Sequence, residues 1–271
     1  MTEILRPEEY GLGDEAVEET FYNEFMVSIE TLELDSAILF EEQATSEYDA
    51  RDYGLVSPPK DQGTCGSCWA FAAAGTMESK ILKFNGQLYN ISEQQLVSCN
   101  TTMKGCCGGD GRALLFYQNN KPWLEHNVIY YDASTRCPEE RTRECQDFEA
   151  QGIDYLGQGF YTVPNNASEM KKSLLDHGPC YFRYDVYEDF YDYWKEGQLG
   201  AVYQQESGNP LGGHAVQIIG WSDSKGAWLL KNSWGRSTGP NQDGTFWIAY
   251  EGHMNPLQFQ MFNLSRLIKK T

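Results

Sequence analysis

The spacing of apolar residues divides the chain into a helix-rich first half and a strand-rich second half. Trp69–Lys83 is apolar and built from small residues in its first turns, with little charge, which predicts a helix buried on most sides. It follows VSPPKDQGT (56–64), whose prolines and glycine break regular structure. Further helical patterns start at Ser92 (SEQQLVSC, with Ser92 as N-cap), span Gly111–Asn119, and follow Asn166, where Asn166 and Glu169 form a capping-box-like start and Gly178 a stop. Beyond this point CYFRYDVY, HAVQIIGW, AWLLKNSW and TFWIAY are β-branched and aromatic runs separated by glycine-containing turns, the pattern of strands. The order predicts an α+β protein with two unlike halves and a cleft between them.

Composition narrows the function classes. With 271 residues, the chain makes one large or two small domains, and 41% hydrophobic residues suffice for a substantial core. Its mean hydropathy is −0.55 and no run of 18 apolar residues occurs, so no membrane span is expected. A net charge of −18 disfavours a nucleic-acid partner. That charge is concentrated at the start. Residues 1–50 carry 15 acids against Arg6 alone, a net −14. Phe21, Phe25, Met26, Ile29, Leu32 and Leu34 interleave with those acids, so the segment is expected to pack onto something and not to be only a solvated tail. The opening residues lack the basic and apolar regions of a signal peptide. Eight cysteines and sequons at Asn90, Asn100, Asn166 and Asn263 nevertheless predict an oxidising, secretory compartment.

The strongest chemical signal is Gln62-Gly-Thr-Cys65-Gly-Ser-Cys68-Trp69. Cys68 stands where a turn enters a helix, and the unpaired amides there favour the thiolate. A base and a group to orient it are still needed. Of four histidines, His177 lies at a helix C-terminus, where a dipole contact is expected, and His126 and His253 read as surface residues. His214 opens a strand after Gly212-Gly213. The following strand ends in Lys231-Asn232-Ser233-Trp234, where Asn232 can hold one ring nitrogen and Trp234 can cover that bond. Cys65-x-x-Cys68 also suits a redox pair, but that leaves Gln62, His214 and Asn232 unexplained. A zinc site lacks a second ligand pair of suitable spacing.

Through QGTCGSCWAF, CCGG, GGHAV and KNSWG, the sequence from about Tyr48 onward resembles the papain-like cysteine proteases. His214 and Asn232 follow Cys68 by 146 and 164 residues. The resemblance implies a two-subdomain α+β fold, a helical half and a β-barrel-like half flanking the cleft. Residues 46–271 would form the peptidase domain and residues 1–45 an acidic propeptide-like segment. In that scheme Cys68 is the nucleophile, His214 its ion-pair partner and general acid, and Asn232 the orienter. Gln62 and the Cys68 N–H form the oxyanion hole.

Substrate contacts implied by the resemblance are Gly108 and Gly109 for strand-like pairing, Trp234 over the histidine, and Asp110, Gly111, Ala215 and Met261 around the pocket for the P2 residue. An apolar P2 is expected, with Asp110 facing solvent. Implied disulfides are Cys65–Cys106 and Cys99–Cys137, with Cys107–Cys145 as a third and Cys180 as a buried free thiol. No cofactor or metal is expected. Peptide or protein substrates, cystatin-like inhibitors and the chain's own N-terminal segment are the expected partners, in an extracellular, lysosomal or vacuolar setting. Endopeptidase action is favoured because no insertion appears between Gly109 and Cys137. A catalytically silent binding protein is the competing class; its mark would be loss of Cys68, His214, Asn232 or Gln62, and all four are present. Gly13-Asp14 and Glu18–Phe21 resemble the later part of the family's propeptides. If their acids pair with cations, acid should release the segment, the favoured expectation; if mutual repulsion among the fifteen acids dominates, acid should tighten it.

Overall fold

A computed structural model describes residues 5–27 and 46–270. Helix α1 spans Glu19–Glu24 and α2 Cys68–Asn85, and every side chain of α2 from Cys68 to Leu82 is buried, as its small residues predict. Gly86, in the left-handed region at φ 72°, ends α2 with its N–H on the Leu82 carbonyl. Helix α3 (Glu93–Cys99) starts from Ser92, whose hydroxyl accepts from the Gln95 N–H. Asn166 caps α4 (Ala167–His177) in the same way, and α5 spans Glu188–Glu196. Gly111–Gln118, expected as an α-helix, winds as a 3-10 helix.

Eight strands form one sheet among the described residues: β1 (Glu47–Asp49), β2 (Tyr155–Val163), β3 (Cys180–Tyr187), β4 (Val202–Tyr203), β5 (Pro210–Ser222), β6 (Ala227–Lys231), β7 (Thr245–Ala249) and β8 (Gln260–Lys269). Their order is β2-β8-β3-β5-β6-β7-β4, antiparallel except for β4–β7, with β1 added against β5. One apolar cluster surrounds α2 and includes Cys68, Trp69, Met77, Tyr181, Ala215 and Phe262. A second, rich in aromatics, fills the sheet half around Phe190, Trp194, Trp228, Trp234 and Phe246. Cys68 belongs to the first cluster and Trp234 to the second, so the site sits where the two meet.

Cys65–Cys106 forms, but the other two bridges exchange partners. Cys99 joins Cys145 and Cys107 joins Cys137, with Cα separations of 4.7 and 4.8 Å, in place of Cys99–Cys137 and Cys107–Cys145. The backbone explains the exchange. Ser98, beside Cys99 at the end of α3, donates to the Arg143 carbonyl, which brings the 143–145 segment to Cys99. The Cys106 N–H donates to the Glu140 carbonyl, which sets Cys107 beside the chain near Cys137. Cys68 and Cys180 are free and buried. Asn90 and Asn166 are exposed, whereas Asn263 is buried with its amide on Ser173, which removes it as a glycosylation acceptor.

Candidate active site

Local geometry fixes each side chain in turn. The Cys65–Cys106 bridge and the Gly66 N–H bond to the Cys106 carbonyl hold the turn that delivers Cys68 to the start of α2. There the N–H groups of Ala215, Gly13 and Trp69 favour a charged sulfur, yet burial and the nearby Asp14 carboxyl outweigh them and push the thiol up to about 12.

His214 lies on β5, and its Nε2 is 2.8 Å from Asn232 Oδ1. That same oxygen accepts the Ser233 N–H at 2.8 Å. Because a backbone N–H can only donate, the Asn232 atom must be the oxygen, so Nε2 carries the proton and Nδ1 the lone pair. Nδ1 is buried and has no hydrogen-bond partner among the described residues. The Trp234 ring covers the imidazole at a 4.8 Å centroid distance. Burial pulls the imidazole down to about 4, against the support of Asn232. With the thiol raised and the imidazole lowered, this closed site favours the neutral pair.

Gln62 points its amide nitrogen at two carbonyls, Cys65 at 2.9 Å and Gly11 at 2.8 Å. Its Oε1 accepts the Ser233 hydroxyl at 2.6 Å. Ser233 therefore orients Gln62, a positioning contact the sequence analysis missed although Ser233 lies inside the KNSWG motif.

Residues of the acidic N-terminal segment occupy this cleft. Tyr10 stacks on Trp234 at 5.0 Å and donates to the Trp234 carbonyl. The Gly11 N–H donates to the Gly63 carbonyl. Gly109 donates to the Gly13 carbonyl and accepts from Glu15, both at 2.8 Å, so the segment runs parallel to the Gly109 strand. The Asp14 N–H reaches the Gly213 carbonyl at 3.1 Å. Approach is this close because Gly11 and Gly13 lack a Cβ: one added at either would collide with the backbone of Cys65 or Gly66. Farther along, Tyr22 is buried and donates to the Val163 carbonyl at 2.5 Å. Residues 28–45 of the proposed segment lie outside the described residues.

Against the expected site, Cys68, His214, Asn232, Gln62, Gly109, Ala215 and Trp234 come together. Gly108, at φ 128°, shapes the preceding turn, and the pairing falls to Gly109. Asp110 does not face solvent. Its side chain is buried, accepting from the Arg112 backbone and guanidinium. Met261 is displaced from the pocket. It pairs with Phe182, while Gln260 pairs with Arg183 and Phe262 with Tyr181, so strict alternation sends Met261 to the opposite face. Arg183, opposite Ala215, and Tyr181 stand on the pocket side instead. Two histidines also differ from expectation. His177 is buried beside the Tyr161 hydroxyl and pulled down to about 3 by burial, so it carries no charge for a helix dipole. His253 is half-buried, bonded through both ring nitrogens to Gln205 and Ala249.

Comparison with known proteins matches residues 44–261 to the papain family cysteine protease model. The chain belongs to the papain family of cysteine proteases. Among its relatives, a gut-specific cysteine proteinase of Caenorhabditis elegans is 34% identical over 217 residues, covering 71% of this chain and 63% of that protein. The cathepsin B-like cysteine proteinase 3 of the same organism is 34% identical over 248 residues, covering 78% and 66%. Mouse cathepsin K is 30% identical over 203 residues, covering 74% and 59%. The match thus spans two thirds or less of each relative's length. Among solved structures, a Carica candamarcensis cysteine protease (CMS1MS2, in complex with E-64) superposes with a TM-score of 0.64 at 27% identity, covering 82% of this chain and 99% of that one. Procathepsin B S9 of Trypanosoma congolense shares the fold, with a TM-score of 0.73 at 22% identity over 96% and 87%.

Proposed function

We propose that this papain-family member is a cysteine endopeptidase whose cleft is covered by residues 5–27. The observations that support the reading are an Asn232-held imidazole next to Ala215, whose N–H faces the Cys68 sulfur, and a Ser233-held Gln62 amide on the Cys65 carbonyl of the turn that leads to Cys68. Once water and substrate replace the segment, desolvation falls and the Cys68 proton passes to His214 Nδ1. The thiolate then attacks the scissile carbonyl carbon, and the resulting oxyanion is held by Gln62 Nε2 and the Cys68 N–H. The imidazolium gives its proton to the leaving amine, which departs and leaves a thioester on Cys68. Water, deprotonated by His214, attacks that thioester and releases the acid and the free thiol.

The covering segment presents the Gly13 N–H, not a carbonyl carbon, to the sulfur and gives Gln62 the Gly11 carbonyl. Substrates are peptides or proteins, cystatin-like inhibitors would compete for the same cleft, and the three disulfides suit a secreted or lysosomal compartment.

The test is hydrolysis of an internally quenched peptide blocked at both ends by protein whose segment has been displaced. Internal cleavage that disappears on alkylation of Cys68 and in Cys68→Ser is expected. Activity surviving in Cys68→Ser would refute the mechanism, and cleavage confined to unblocked chain ends would refute the endopeptidase assignment.

A further inference from the structure

The Asp14 side chain fills a buried recess beside Gly109 and Gly213 whose character is unlike that of an apolar pocket. Its Oδ1 accepts the Tyr181 hydroxyl, and its Oδ2 lies 3.3 Å from Arg183 Nε. Arg183 is itself buried, with its side chain only 5% exposed. Two of its nitrogens are engaged elsewhere. Nη1 donates to the Gln258 carbonyl at 3.1 Å and Nη2 to Asp185 at 2.5 Å. Among the described residues Nε has no hydrogen-bond partner. The other charged groups facing the recess are matched in pairs, Asp110 with Arg112 and Asp185 with Arg183. Among the described residues, removing Asp14 leaves Arg183 Nε and the Tyr181 hydroxyl as donors facing the recess, and the acids Asp110 and Asp185 are already paired.

We propose that this recess is a carboxylate-selective substrate subsite, reading Asp or Glu at P2 through Arg183 and Tyr181. The inference rests on the peptidase assignment, in which the residue beside Gly109, Asp110 and Ala215 is P2, and it replaces the apolar preference expected from the sequence. An acidic side chain takes both free donors at once, as the Asp14 carboxyl does, and the guanidinium charge strengthens the bond from Arg183. Leucine or phenylalanine leaves both donors buried and unsatisfied, the situation in which sites built to hydrogen-bond reject an analogue most strongly. A basic residue meets the Arg183 guanidinium. The segment's own Asp14 is then a resident occupant of the subsite, presented on a chain running parallel to the Gly109 strand.

The full chain carrying Gly11→Ala and Gly13→Ala, which denies the segment its close approach without touching the site, is assayed on peptides differing only at P2: Asp, Glu, Asn, Gln, Leu, Phe and Arg. The expected kcat/KM for Glu or Asp exceeds that for Gln, Asn, Leu and Phe by tenfold or more, and Arg is poorest. Arg183→Met should cut the Glu-to-Leu ratio at least tenfold. Tyr181→Phe, which removes one hydroxyl and preserves shape, should cut it several-fold. Leading cleavage of Leu, Phe or Arg peptides, or a Glu-to-Leu ratio unmoved by Tyr181→Phe, would overturn the subsite while leaving the peptidase assignment standing. Failure to cleave any peptide would overturn the peptidase assignment and the subsite with it.

Discussion

Two buried ionisable clusters lie against the same helix, α2, and they differ in how their polar atoms are partnered. At mid-helix, Glu78 bonds Ser57 and the Ile91 N–H and pairs with Lys60 at 3.0 Å, while Lys60 also reaches Glu93 at 2.7 Å and the Ile91 carbonyl. Lys231 completes the group through Ser57. The Lys60 and Lys231 charges hold the Glu78 carboxyl below its ordinary value despite burial. Burial pushes Glu93 up to about 8 and Lys231 down to about 8 there, and ten residues earlier it likewise drives Cys68 and His214 toward neutrality, but among the described residues His214 Nδ1 has no partner. Complete pairing marks a group that holds the fold together, whereas an orphaned lone pair beside a thiol marks one reserved for substrate. The N-terminal segment adds to the burial of the second cluster through the Gly13 N–H and Asp14 carboxyl beside Cys68 and through Tyr10 stacked on Trp234, so removing the segment should relax both shifts.

The sharpest way to break the comparison is to orphan a charge at mid-helix. Glu78→Gln removes the carboxylate that supports Lys231 and leaves Lys60 with Glu93 alone, and should cost about 3 kcal/mol of stability. That is a fall of roughly 10 °C in thermal midpoint, at about 2–4 °C per kcal/mol for a chain of this size. Calorimetry checks it; an unchanged midpoint would mean the network carries no weight.

At the cleft the cost should fall on rate and spare stability. Gln62→Ala is expected to lower kcat by about 10²–10³-fold, the worth of one oxyanion donor. Ser233→Ala, which only frees the Gln62 amide to rotate, should lower it less. Steady-state kinetics with the segment displaced would separate the two, and equal losses would contradict Ser233 as a positioning residue.

A smaller effect concerns pH. Burial raises the Asp14 carboxyl to about 8 in the docked state, against the pull of Arg183 and Tyr181 and with Asp110 and Asp185 adding to the rise. Its ordinary value is about 4. Docking therefore takes up a proton: the Asp14 contribution is complete below about pH 4 and is lost as pH rises through about 8. Glu8, paired with the exposed Lys195, acts in the opposite direction but is solvent-screened. Acid thus favours closure, the reverse of the release expected if the segment's acids are paired and held low. A peptide of residues 5–27 should inhibit the Gly11→Ala, Gly13→Ala chain at least tenfold better at pH 5 than at pH 8, and an Asp14→Asn peptide should show little of that dependence. Stronger inhibition by the native peptide at pH 8 would reverse the sign.

The constellation proposed to be catalytic was legible because each member sits in a short motif, a turn before a helix for Cys68 and a strand after glycines for His214. Features decided by register were not. Met261 falls on the wrong face by a single residue of alternation, and Arg183 enters the pocket only through its pairing opposite Ala215. Helix α5 was hidden because EDFYDYWKE is as aromatic as the strands around it, although Phe190 and Trp194 face inward at i and i+4. β2 was obscured by its two glycines, and the bridges of Cys99 and Cys107 depended on backbone contacts that spacing does not encode.

The most direct test of the covered cleft is the alkylation rate of Cys68 by iodoacetamide, read by peptide mapping with buried Cys180 as the internal reference. In the full chain Cys68 should react slowly, and in the Gly11→Ala, Gly13→Ala chain at least a hundredfold faster while Cys180 stays protected. Equal, rapid labelling of Cys68 in both would show that residues 5–27 do not close the site.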